Sequence, residues 1–195
     1  MLKQGAIGKR IERAIKHMSN KEYEDAFIQT CIAIDGTGRK KWPKAGVGER
    51  IRRHVEQYEA FIYHVWSRGG LNVNGGVVIL QGKKLPALQY IIRNSLLHGD
   101  DLENDVVFDT NNPTIVGVKG GKPLVGYCII DGLLFSVVVD PANASETCDP
   151  NLSFIGKVGA EPMAINLAWG NIEYFAKAVP LPMEILCKHT SGDCP

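Results

Sequence analysis

Apolar positions in the first half of the chain recur at three- and four-residue spacing, the pattern of amphipathic helices rather than strands. Ile7, Ile11, Ala14, Ile15 and Met18 form one such stripe. Ser19 or Asn20 is placed to cap a second helix, with Glu22, Glu24 and Asp25 in its first turns, where the helix dipole favours acidic groups. Phe27, Cys31 and Ile34 are its inward face, and Gly36, Gly38 and Pro43 are expected to end it. A third helix is predicted from about Gly48 to Ser67, burying Ile51, Val55, Tyr58, Ile62 and Trp66. Val77 to Leu80 reads as a short strand or extended link. A fourth helix starts near Pro86, presents Leu88, Ile91, Ile92, Ser95 and Leu96 inward, and stops at Gly99.

Beyond Gly99 the pattern changes. Asp105 to Phe108, Thr114 to Val118, Leu124 to Ile130 and Leu133 to Val139 are strand-like, separated by KGGK and DG turn sequences. They predict an antiparallel meander. Helical spacing returns from Met163 to Ala178, with Ile165, Leu167, Ala168, Ile172, Phe175 and Ala176 as core candidates. The fold class expected is therefore α+β: a mainly helical bundle (residues 1–98 and 163–178) with an antiparallel β-meander, residues 105–140, inserted before the last helix. All 195 residues are expected to form one domain, because the bundle is the obvious surface for that last helix to pack on.

Composition narrows the class. With 45% apolar and 22% charged residues the chain is an ordinary globular sequence, which disfavours disorder, collagen-like repeats and coiled coil. Apolar runs such as Leu133 to Val139 fall far short of the roughly 20 residues that span a bilayer, so no membrane association is expected. The N-terminal stretch MLKQGAIGKRIERAIKH has no apolar signal core, and the five cysteines are scattered and odd in number. A cytoplasmic protein with reduced thiols is expected.

The formal net charge of +1 conceals a division. Residues 1–98 carry 17 Lys and Arg against 8 Asp and Glu, a balance of +9, whereas residues 99–195 carry 5 against 13, a balance of −8. Such a split suits an anionic partner for the first half, or pairing between halves or subunits. The basic residues gather in two clusters: Arg39, Lys40, Lys41 and Lys44 around Trp42, and Arg50, Arg52 and Arg53 beside His54. Cations with an aromatic at hand fit a nucleic-acid backbone and a stacked base, and solvated helix faces equally.

The stretch IIRNSLLHG closes the fourth predicted helix. Asn94 and His98, four apart, share a face, and Arg93 reaches toward His98 only by its long side chain or through a frayed last turn. Histidine can take and return a proton near neutrality, and an arginine fork can hold phosphate oxygens. The same residues could equally complement the helix C-terminus and a surface carboxylate.

The run Arg93-Asn94-Ser95-Leu96-Leu97-His98 before Gly99 resembles the Arg-x4-His signature of HEPN domains, and NKEYEDAFIQTCIAIDGTGRK looks like the long early helix of those bundles. The resemblance covers the helical portion and implies a small helical bundle. Many such domains are metal-independent ribonucleases of toxin, defence and RNA-processing systems, and they commonly act as homodimers. It further implies that His98 activates the RNA 2′-hydroxyl or protonates the leaving oxygen, Arg93 binds the scissile phosphate and Asn94 positions one of them. A 2′,3′-cyclic phosphate would be left. The function expected is a metal-independent endoribonuclease of this type; the alternative is a non-catalytic module that binds RNA or nucleotide or serves dimerisation. A β-rich insertion departs from the all-helical pattern of the family.

Other chemistries find little support. Cys187, His189 and Cys194, with Cys148 at a distance, match no common zinc spacing, so neither metal nor cofactor is expected. GGVVILQGKK lacks the glycine and hydroxyl residue of a phosphate loop where Val77 and Lys84 stand. Asn143 and Asn151 begin glycosylation sequons that need a secretory route.

Overall fold

A computed structural model of the chain describes residues 4–67, 79–80, 83–84, 107–112, 116–120, 122–154, 163–179, 181 and 186. Three long helices come first: α1 (Ala6–Ser19), α2 (Tyr23–Lys41) and α3 (Val47–Trp66). Their buried faces are the predicted stripes. Ile7, Ile11 and Ala14 of α1, Phe27, Cys31 and Ile34 of α2, and Ile51, Val55, Tyr58, Ile62 and Trp66 of α3 are each at most 4% exposed, with Ile15 and Met18 packed at the margin.

Helix ends depart from expectation in two places. Neither Ser19 nor Asn20 caps α2: the Ser19 hydroxyl donates back to the Ile15 carbonyl, Asn20 closes α1, and Glu22 precedes α2 without a side-chain cap. Gly36 and Gly38 do not end α2, which runs on to Lys41 before Pro43. These glycines serve packing. A Cβ on Gly38 would sit 2.6 Å from the Arg50 Cβ, and one on Gly36 would sit 3.1 Å from Ile7 Cγ1, so their absence lets α3 and α1 close on α2.

Short strands follow: β1 (Ile79–Leu80) pairs antiparallel with β2 (Lys83–Lys84). β3 (Val107–Asp109), β4 (Val116–Lys119) and β5 (Lys122–Gly126) form a three-stranded sheet in the order β3-β5-β4. The expected meander is corrected here. β4 and β5 make an antiparallel hairpin at the KGGK turn, where Gly120 takes φ +59, but β3 runs parallel to β5. The second half of the supposed meander is a helix, α4 (Cys128–Val138). LLFSVVV is apolar on every side because α4 lies between α2 and α3, and a helix buried all round carries no periodicity to distinguish it from a buried strand. Gly132, expected in a turn, is helical; a Cβ there would meet the Ile62 carbonyl oxygen at 2.5 Å, so it marks the close crossing of α3 and α4.

After α4 come a 3-10 turn (Pro141–Asn143), the antiparallel pair β6 (Ser153–Phe154) and β7 (Met163–Ala164), and two short helices, α5 (Ile165–Ala168) and α6 (Ile172–Ala178). The continuous helix expected over 163–178 is thus broken. Gly170 adopts φ +65 against Ala144, and the Asn171 carboxamide then accepts the Tyr174 N–H at 2.9 Å to start α6. The last helix does pack on the bundle, through Phe175 against Phe61 and Phe135. The architecture is α+β, mainly helical with a small sheet. No helix among the described residues is long and apolar enough to cross a membrane. The predicted fourth helix near Pro86 lies outside the described residues.

Burial also sets thiol chemistry. Cys31, Cys128 and Cys148 are buried, and burial pushes the Cys148 thiol up to about 12 and Cys31 further still. A thiol whose pKa rises on folding favours its neutral form. Its contribution to stability is present below the ordinary thiol pKa and lost as pH climbs toward 12. Alkylation with iodoacetamide at pH 8.5, mapped by mass spectrometry, is expected to spare all three in the native state. Labelling of any of them at the rate of a free cysteine contradicts this burial.

Candidate nucleic-acid interface

The eight basic-cluster residues gather where α2 ends and α3 begins, and the structure divides them into two kinds. Lys41 and Arg50 are structural, whereas Lys40 is exposed yet tied to Glu146. The Lys41 ammonium donates to Asp140 Oδ2 at 2.7 Å and Gln57 Oε1 at 2.5 Å, and lies over the rings of Trp42 and Tyr58. Lys40 donates to Glu146 at 2.8 Å and to the Asn143 side chain at 3.1 Å. Arg50, 7% exposed, bonds Asp35 at 2.7 Å and the Ala45 carbonyl.

The remaining residues are at the surface. Arg39 is 69% exposed with Asp35 at 3.4 Å, and Arg52 and Arg53 are 44% and 45% exposed. Arg52 and Arg53 both grip Glu49, Arg52 also reaching Glu56, and those hydrogen bonds hold the Glu49 carboxyl down to about 2. Pairs three or four apart on an exposed helix contribute little to stability, so they can be exchanged for phosphate oxygens at little loss. Lys44 is exposed and has no ion-pair partner among the described residues. Trp42 stands between the groups, half-buried, with the Lys41 ammonium 4.9 Å and the Arg53 guanidinium 5.9 Å from its ring.

A polar cluster that the sequence did not announce backs this surface. Asp140, 1% exposed, accepts from Lys41 and from the Ala142 N–H at 2.9 Å, with His54 Nδ1 at 3.8 Å. His54 Nε2 lies 2.9 Å from Ser136 Oγ. Ser136, His54 and Asp140 thus carry the residue types of a hydrolase triad, but not its chemistry. All three are at most 1% exposed. The Ser136 hydroxyl gives its proton to the Leu133 carbonyl at 2.7 Å, so the imidazole must donate to the serine, the reverse of what a nucleophile needs. Burial and the nearby Asp140 carboxylate raise the Tyr58 phenol. Thr37 joins the cluster by accepting from the Asn143 Nδ2, which also donates to the Val137 carbonyl; Asn143 is fully buried and closed to glycosylation.

These contacts also explain part of the charge division. Lys40 with Glu146 and Lys41 with Asp140 join the basic first half to the acidic second half within one chain. Glu146 also accepts the Gly8 N–H at 2.8 Å, so the same carboxylate ties α1 to the end of α2. The sequence candidates Arg93, Asn94 and His98 lie outside the described residues.

A family model described as Rv1289 matches residues 6–185. Among curated proteins, the chain is 26% identical to uncharacterized protein Rv1289 of Mycobacterium tuberculosis (strain ATCC 25618 / H37Rv) over 203 residues, covering 96% of this chain and 94% of that protein. Uncharacterized protein Mb1320 of Mycobacterium bovis matches with the same identity and coverage. No solved structure matches.

Proposed function

Because the chain belongs to the Rv1289 family, whose curated relatives carry no stated activity, we propose its function from its own surface: it binds single-stranded RNA at the junction of α2 and α3. One observation carries this reading. Trp42 presents a ring flanked by cations beside the exposed Arg39, Lys44, Arg52 and Arg53, which combines a stacking platform with phosphate partners. Nearby Asp35, Glu49 and Glu56 keep the net field small, so the site binds modestly. Lys41 and Arg50 shape it from behind without touching the ligand.

Cleavage is the second part of the proposal. It rests on the Arg93-Asn94 and His98 sequence motif: RNA held at Trp42 would be cut by 2′-hydroxyl attack, without metal, by a homodimer. Fluorescence anisotropy with labelled oligoribonucleotides tests binding, and incubation of the same RNA in chelator tests cutting. Trp42→Ala is expected to weaken binding by about 1–3 kcal/mol, roughly 5- to 150-fold, at unchanged helical content. His98→Ala is expected to abolish cutting and leave binding intact. Equal binding by wild type and Trp42→Ala would reject the stacking site, and intact RNA after incubation with wild type across a broad panel would reject catalysis.

A further inference from the structure

A second cluster lies away from the Trp42 surface, at the connection between α1 and α2. His17 on the last turn of α1, Glu22 just before α2 and Asp25 in its first turn bring one imidazole nitrogen and two carboxylate oxygens within 4.8 Å of one another. In the structure His17 Nδ1 and Glu22 Oε2 stand 2.6 Å apart. Glu22 and Asp25 also line a cleft of about 410 Å³ that opens between this connection and β3, with Lys21, Tyr23, Phe108 and Thr110 around it.

The geometry points to a site for a divalent transition cation, Zn²⁺ by its ligand chemistry, held by His17, Glu22 and Asp25. Three arguments meet. An imidazole beside two carboxylates is a mixed nitrogen and oxygen set, which suits zinc and its neighbours, whereas calcium and magnesium take oxygen alone. Bonds of about 2.0–2.2 Å from one ion would place the donor atoms roughly 3.3–3.6 Å apart in a tetrahedron, reached here by rotating the exposed Glu22 and Asp25 side chains toward the half-buried His17. Three protein ligands leave a coordination position open, as zinc sites with an exchangeable ligand do. The neighbouring cleft has the volume of a small-ligand pocket, so a water or a small oxygen-donor ligand can occupy that position. The site shares no residue with the RNA surface and is independent of the reading above.

Titration of the full-length protein with Zn²⁺ by calorimetry, and with Co²⁺ followed by visible absorption, tests it. The expected result is one equivalent bound, weakened at least about tenfold by His17→Ala and by the near-isosteric Glu22→Gln and Asp25→Asn. Cys187→Ser with Cys194→Ser is expected to bind as wild type does. Absence of binding, binding indifferent to His17→Ala and Glu22→Gln, or binding lost in the cysteine variant would overturn the assignment.

Discussion

Replacing Asp140 by alanine is expected to lower stability by about 3–5 kcal/mol, read from the midpoint of urea unfolding at unchanged slope. The carboxylate is buried, bonds Lys41 at 2.7 Å and the Ala142 N–H at 2.9 Å, and faces His54 at 3.8 Å. Its removal leaves the Lys41 ammonium, 17% exposed, between Gln57 and two aromatic rings without its counter-charge, and loosens the turn that closes α4. Because the cost comes from a charge left behind, Lys41→Met should offset part of it. The double-mutant cycle is expected to show a coupling of about 0.5–3 kcal/mol. A loss below about 1 kcal/mol for Asp140→Ala would mean that this cluster does not organise the bundle.

Phe135→Ala is expected to cost a similar amount, about 3–5 kcal/mol, for a different reason. Phe135 is 1% exposed on α4 and its ring lies 4.9 Å from Phe175 of α6, which in turn lies 5.3 Å from Phe61 of α3. Truncation opens a cavity where the last helix meets the bundle, so protection of α6 amides from exchange should fall with global stability. Leu167→Ala, at a side chain 58% exposed on α5, is the matched control and is expected to stay within about 0.5 kcal/mol of wild type. A loss below about 1 kcal/mol at Phe135 would contradict the packing of the C-terminal helices onto α3 and α4.

The first three helices were legible in the sequence because each has one wet face, and a wet face leaves a 3.6-residue period. Every inward residue named for α2 and α3 is buried. α4 was not legible for the converse reason. With apolar side chains and Gly132 packed on every side, its only polar signals are Asp131 and Ser136, and Asp131-Gly132 imitates a turn. The pairing of β3 with β5 was hidden too, since parallel register is set by the intervening chain rather than by the strands' own residues. Glycine misled twice over: Gly36 and Gly38 interrupt a helical pattern on paper, yet their want of a side chain is what brings neighbouring helices together.

The candidate surface was partly legible. The two basic clusters do converge at one end of α2 and α3, but counting charges could not separate Lys41 and Arg50, committed to Asp140 and Asp35, from the exposed Arg39, Lys44, Arg52 and Arg53. The Asp140 cluster escaped notice because Lys41, His54, Ser136 and Asp140 share no local spacing; only the crossing of α2, α3 and α4 unites them.

The salt dependence of oligoribonucleotide binding tests the central claim most directly. If the exposed cations meet phosphates, the logarithm of the binding constant falls linearly with the logarithm of salt concentration. A single strand contributes a slope of about −0.7 per phosphate neutralised, hence between roughly −1 and −3 for these side chains. Replacing Arg52 and Arg53 together by glutamine should reduce the slope by about 1.4, whereas Lys41→Gln, at a cation committed to Asp140, should leave it unchanged. Binding absent at low salt, or a slope indifferent to the loss of both arginines, would contradict the account.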